Sequence, residues 1–115
     1  MDQQPGLIRS VERTEHAAVL RLSGDVDLNS SPQLRQGLRQ VIARRPEVIV
    51  VNLQHVAYMD SSGLATLVEA LKRTCEYGGK LRLVALTDRV RAVFEISQLD
   101  RVFEILPDEQ EATQP

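Results

Sequence analysis

Val48-Ile49-Val50-Val51-Asn52-Leu53 runs on through Gln54 and Met59 into Asp60-Ser61-Ser62-Gly63-Leu64, and the fold turns on how these residues are read. The apolar, β-branched run is bounded by polar residues and is too short for a helix that buries itself, so it predicts a strand covered on both faces. Beyond it the period changes. Leu64, Leu67, Val68, Leu71 and Cys75 recur at the i, i+3, i+4, i+7 spacing of an amphipathic helix, expected from about residue 62 to 77. A buried strand therefore gives way, at two adjacent serines, to a helix folded back on the sheet. The first N–H groups of a helix lack intrahelical partners, and Asp60, Ser61 and Ser62 are the side-chain types that cap them. Ser61 or Ser62 is expected at the surface on a rigid support, and Asp60, Ser61, Ser62 and Gly63 are where the function is expected.

Working outward, residues 7–13 and 17–23 alternate as two strands around the turn Thr14-Glu15-His16, and a hairpin is the simplest connection. Gly24-Asp25-Val26-Asp27-Leu28-Asn29 follows, and then Ser30-Ser31-Pro32, where serine can cap and proline suits the first helical turn. Leu34, Leu38, Val41 and Ile42 mark one face of that helix, which ends near Arg44-Arg45-Pro46. On the other side, Gly78-Gly79 stops the second helix and residues 80–86 form a strand. Thr87 or Asp88 caps a short helix carrying Val90, Val93, Phe94 and Ile96, and residues 102–106 form a terminal strand.

The order β-β-α-β-α-β-α-β requires parallel, right-handed crossovers after the hairpin. The expected fold is a single α/β domain over residues 7–106, a mixed β-sheet opened by a hairpin with helices packed against it. Residues 1–6 are expected to be a flexible N-terminus, and residues 107–115 a flexible, disordered acidic tail.

With 115 residues, 43% of them apolar, 26% charged and no Trp, the chain suits one soluble domain with an aliphatic core. A net charge of -2 with interspersed signs gives no basic surface for nucleic acid. No apolar run approaches membrane-spanning length, and the N-terminal MDQQPGLIRS lacks the regions of a signal peptide, so no membrane association and a cytoplasmic location are expected. Cys75 is the single cysteine, which excludes an internal disulfide; on the apolar stripe it reads as a buried, inert thiol.

His16 and His55 are the only histidines, and with one cysteine they form no metal-ligand cluster. Gly78-Gly79-Lys80 lacks phosphate-loop spacing and ends a helix instead of opening one. The serine turn resembles a nucleophile elbow, but the first glycine is missing and both histidines precede the serines. Asp25, Asp27 and Asp60 follow strands and could gather at one sheet edge as Mg²⁺ ligands, the pattern of a response-regulator receiver. Against that, no lysine follows the last strand and the chain opens with a hairpin; Asp25 and Asp27 also suit a turn.

Three elements carry a family resemblance: Asp60-Ser61-Ser62-Gly63-Leu64 after an apolar strand, Gly24-Asp25-Val26-Asp27 before the first helix, and Val93-Phe94-Glu95-Ile96-Ser97-Gln98-Leu99-Asp100-Arg101-Val102-Phe103 near the end. Together they resemble the STAS domain of bacterial anti-sigma factor antagonists, over about residues 7–106. The resemblance implies a protein that is not an enzyme and needs no cofactor. It implies phosphorylation of Ser61 by a partner that is both an anti-sigma factor and a serine kinase with a histidine-kinase-like ATPase fold, reversed by a serine phosphatase. Only the unphosphorylated form would bind that partner and free the sigma factor. Asp25, Asp27, Asp60, Ser62, Gly63 and Leu64 would flank the site and contact the partner. A second expectation keeps the fold and changes the role: a STAS subunit of a lipid-transport ATPase or other signalling complex, docking without phosphorylation.

Overall fold

Residues that alternate between a period of two and a period near 3.6 build a sheet whose parallel strands are joined by helices, and the computed structural model, which describes residues 6–114, has that form. Strands β1 (Ile8–Arg13) and β2 (Ala17–Ser23) make the opening hairpin. They are followed by α1 (Ser31–Ala43), β3 (Val48–His55), α2 (Ser61–Glu76), β4 (Lys80–Val84), α3 (Asp88–Ile96), a 3₁₀ turn (Leu99–Arg101), β5 (Glu104–Leu106) and α4 (Glu109–Ala112). The five strands lie in the order β1-β2-β3-β4-β5, antiparallel between β1 and β2 and parallel thereafter. The expected flexible N-terminus, residues 1–6, lies outside the described residues except for Gly6.

Because each crossover advances to the next strand in the same direction, right-handed connections deposit α1, α2 and α3 on one face of the sheet. The main core forms there: Ile49, Val51 and Leu53 of β3 meet Leu34, Leu38, Leu67, Val90 and Phe94, all buried. Phe94 also meets Phe103 edge to face at 5.6 Å. The opposite face of β3, Val48 and Val50, is equally buried, as a strand covered on both faces requires. Its cover was not foreseen. Ala17, Val19, Val48, Val50 and Val84 pack with Ala112 of α4, which the sequence reading had assigned to a disordered tail.

As far as Gln114, that tail is ordered for physical reasons. The Asp108 side chain accepts from Glu111 N at 2.9 Å and caps α4. Arg21 of β2 donates to Glu109 through Nε at 2.8 Å and Nη2 at 2.6 Å, and Asn52 of β3 adds a bond to the same carboxylate at 2.6 Å. Arg82, buried at 6% exposure, donates to Ala112 O at 2.9 Å and to Gln114 O, and pairs with Glu104 at 2.9 Å. An acidic, polar composition argues for disorder only when no complementary surface awaits it; here two sheet arginines supply one.

Cys75 is exposed, not buried. Helix α2 buries Gly63, Thr66, Leu67, Ala70 and Thr74, a stripe rotated by about one residue from the apolar one, with Leu64, Val68 and Leu71 half-buried at its edge. Counting apolar residues misplaced it because two threonines occupy the inner face. Their hydroxyls return to backbone carbonyls one turn earlier, Thr66 to Ser62 O at 2.8 Å and Thr74 to Ala70 O at 2.7 Å. Burial then leaves no polar group unpaired. Gly78, at φ +84°, ends the helix as expected. Among the described residues no helix is long and apolar enough to cross a membrane.

Candidate functional site

The site is assembled at the edge where the parallel strands end. An isolated parallel bridge joins Val26, in the loop after β2, to Met59, in the loop after β3. Val26 N donates to Tyr58 O at 2.9 Å and Asp60 N donates to Val26 O at 3.0 Å. The two loops that carry Asp25, Asp27, Asp60 and Ser61 are thereby locked side by side. Glycine at position 63 makes the approach possible: a Cβ there would lie 2.7 Å from Val26 Cγ1 and 2.8 Å from Met59 Cγ. The helix N-terminus thus sits directly on the bridge. On the far side, the Thr87 hydroxyl that caps α3 also donates to Val56 O at 2.9 Å, pinning the same loop from below.

Asp60, not Ser62, is the N-cap of α2. Its Oδ1 accepts from Ser62 N at 2.9 Å, from Gly63 N at 3.3 Å and from the Ser62 hydroxyl. Ser62 therefore orients the capping carboxylate and is half-buried beside it. The hydrogen bond from the Ser62 hydroxyl, followed by those from backbone N–H groups, holds the Asp60 carboxyl below its usual range despite partial desolvation. Ser61 is different. It is exposed, at the first position of α2, and among the described residues its hydroxyl makes no hydrogen bond. The N–H groups of Ser62 and Gly63 are both taken by Asp60.

Asp27 is partly buried, and its Oδ1 accepts from Asn29 N at 2.9 Å and Ser30 N at 3.1 Å. It shapes the loop leading into α1 and, among the described residues, makes no hydrogen bond with Ser61. Asp25 is exposed, and its carbonyl accepts from the Ser30 hydroxyl at 2.7 Å. Gly63 is buried and Leu64 half-buried against the core. Among the described residues no group of three His, Cys, Asp or Glu side chains is placed to hold a metal ion, so the three aspartates do not form a receiver-like cluster. Two neighbours escaped the sequence reading: Leu28, 75% exposed, and Tyr58, 43% exposed, put apolar surface beside Asp60. A leucine inside an otherwise polar loop was the available signal for the first.

The site can present a hydroxyl to another protein on an edge that carries carboxylates and apolar side chains, and among the described residues no group accepts a hydrogen bond from that hydroxyl. Comparison with known proteins bears on who uses it. Residues 9–112 match the STAS domain family. The anti-sigma-B factor antagonist of Bacillus subtilis is 32% identical over 95 residues, covering 83% of this chain and 86% of that one. The crystal structure of an anti-sigma factor antagonist from Mycobacterium paratuberculosis superimposes with a TM-score of 0.81 at 27% identity, covering 90% of this chain and 87% of the other. The Bacillus cell fate determinant SpoIIAA in its phosphorylated form matches with a TM-score of 0.69 at 26% identity, covering 90% of this chain and 94% of that one.

Proposed function

The chain belongs to the STAS domain family, among relatives that are anti-sigma factor antagonists, and from that premise we propose that it is itself such an antagonist, switched by phosphorylation of Ser61. The unphosphorylated protein binds an anti-sigma factor that is also a serine kinase, and sigma factor is released. Phosphorylation ends the binding and a serine phosphatase restores it. The protein is a substrate in this cycle and catalyses nothing; ATP and the phosphoryl-transfer machinery belong to the kinase.

One observation carries the choice of residue: of two adjacent serines, Ser61 has an exposed hydroxyl free of hydrogen bonds, whereas that of Ser62 is bound to Asp60. Phosphoryl transfer to Ser61 breaks no bond within the fold. A phosphate there carries about -1.5 to -2 charges. With the N–H groups of Ser62 and Gly63 occupied by Asp60, it gains only the helix dipole and otherwise stays in water. A partner fitted to a neutral hydroxyl then meets a hydrated dianion beside a carboxylate, and the repulsion and desolvation fall on the complex instead of the fold. Leu28, Tyr58 and Leu64 supply the apolar part of the partner contact, and Asp25, Asp27, Asp60, Ser62 and Gly63 shape its rim.

The test is intact-mass analysis after incubation with the cognate kinase and ATP. Parent and Ser62→Ala proteins should each gain one phosphate and Ser61→Ala none. Labelling of Ser61→Ala at the parental rate would place the modification elsewhere and sink the proposal. Ser61→Asp should bind the kinase at least tenfold more weakly while unfolding at nearly the parental temperature.

A further inference from the structure

Leu28 is 75% exposed and joins neither apolar core, so the fold gains nothing from its isobutyl group. A lone surface leucine is ordinary. This one is distinguished by how firmly it is held and by what stands beside it. Asp27 Oδ1 accepts from Asn29 N at 2.9 Å and from Ser30 N at 3.1 Å, closing the loop around Leu28. The Ser30 hydroxyl accepts from Asp27 N at 3.0 Å and donates to Asp25 O at 2.7 Å, and Ser31 N donates to Asp27 O at 2.8 Å. The base of the loop is fixed by the Val26–Met59 bridge. Leu28 also reaches the cap of α2: after the Ser62 hydroxyl and the N–H groups of Gly63 and Ser62, its N–H is a further donor that keeps the Asp60 carboxyl below its usual range. Leu28 is thus one hydrogen bond from the residue that precedes Ser61. Tyr58, 43% exposed, adds apolar surface from the neighbouring loop, its carbonyl bonded to Val26 N at 2.9 Å. Ile96 is 84% exposed but ends α3, about 12 Å along the helix from the Thr87 cap that pins the site loop.

A loop fixed by this many bonds has already lost the freedom that docking would otherwise take from it, so apolar contact made by its tip is returned as affinity with little entropic loss. We propose that Leu28 is the residue by which the anti-sigma factor kinase selects this protein, seated in an uncharged aliphatic pocket of that partner, and that Asp27 is a positioning residue acting through Leu28; this rests on the function proposed above and deepens it. The pocket is aliphatic because Leu28 offers a branched side chain with no polar atom, and uncharged because a charge buried against such a group has no partner. Asp27 commits its Oδ1 to its own loop, so its part in recognition is to hold the tip in place. The two roles at this edge are then separate. Leu28 makes a docking contact that is the same before and during phosphoryl transfer, which lowers KM and leaves kcat alone, whereas Ser61 supplies the reacting oxygen.

The test combines calorimetric binding of the full-length, unphosphorylated protein to its cognate anti-sigma factor kinase with initial rates of phosphorylation. Leu28→Ala should bind about tenfold more weakly, the scale of withdrawing an aliphatic side chain from an apolar pocket, and raise KM to match while kcat, circular dichroism and Tm stay at parental values. Leu28→Met, which refills the pocket, should recover most of the loss. Asp27→Ala, which opens the loop, should weaken binding in the same direction, and Asp27→Asn, which keeps the Oδ1 acceptor, should rescue it. Parental binding and KM in Leu28→Ala would overturn the anchor while leaving the Ser61 switch standing, as would a fall in kcat at constant KM, which would mean that Leu28 acts on the reacting hydroxyl. Equal losses in Asp27→Asn and Asp27→Ala would make the Asp27 charge itself the contact and overturn its positioning role. Failure of the parent to bind the kinase at all would overturn both the anchor and the function on which it rests.

Discussion

Replacing Arg82 with methionine tests whether the C-terminal segment is part of the folded domain. Methionine keeps an apolar stem of similar reach over the sheet, so little hydrophobic burial is lost. What disappears is the guanidinium that donates to Glu104, Ala112 O and Gln114 O. The Glu104 side chain is 48% exposed, so it rehydrates and its share is about 0–1 kcal/mol. The Ala112 carbonyl belongs to a fully buried residue, and a hydrogen bond from a charged donor to such a group contributes about 1.5–3 kcal/mol. Exchanging both partners of a buried polar pair for apolar groups can be neutral, but here one partner leaves and the carbonyls remain. The expected loss is about 2–3 kcal/mol, which for a domain of this size lowers Tm by roughly 10 °C. Arg21 and Asn52 still hold Glu109, but a four-residue helix tied down only at its first residue frays beyond it. Hydrogen exchange in the variant should therefore show residues 111–114 at nearly unprotected rates, with β3 and β4 still protected. A Tm within about 2 °C of the parent, with α4 amides still protected, would refute the assignment of Arg82 as the clasp, since errors in the bond energies cannot absorb so large a shortfall.

Three further outcomes follow from the geometry. Gly63→Ala forces a methyl to within 2.8 Å of both Val26 and Met59 and should cost about 1–3 kcal/mol by overpacking, read from chemical denaturation. A parental midpoint would mean the two loops part without penalty. Bonds from Arg21 and then Asn52 hold the Glu109 carboxyl below its usual range. A depressed folded-state value means that this contribution is present above the ordinary glutamate range and lost as pH falls through the folded value, so Glu109→Gln should be less stable than the parent at neutral pH and the difference should shrink on the acid limb. A pH-independent difference would contradict the linkage. Finally, exposed Cys75 should react with a thiol reagent in the native state at a rate close to that of a free cysteine; labelling only after unfolding would place it back in the core.

Period and punctuation in the sequence determined the element order as far as β5, the hairpin, the parallel crossovers and the position of the serine turn. These are local properties: β-branched runs, a helical stripe and Gly78 each constrain the backbone within a few residues. The Asp60-Ser61-Ser62-Gly63 turn was legible for the same reason, since capping is decided within one helical turn. Which serine is free was not. That depends on Asp60 taking the Ser62 hydroxyl, a choice made by side-chain geometry once the Val26–Met59 bridge fixes the loop. Tertiary structure alone decided the inner face of α2, where Thr66 and Thr74 bury themselves by bonding backward, and with it the exposure of Cys75. It also decided the tail. Residues 107–114 carry no apolar periodicity, and they are ordered because Arg21, Asn52 and Arg82, distant in sequence, converge on a sheet face that consecutive right-handed crossovers leave bare of the three long helices.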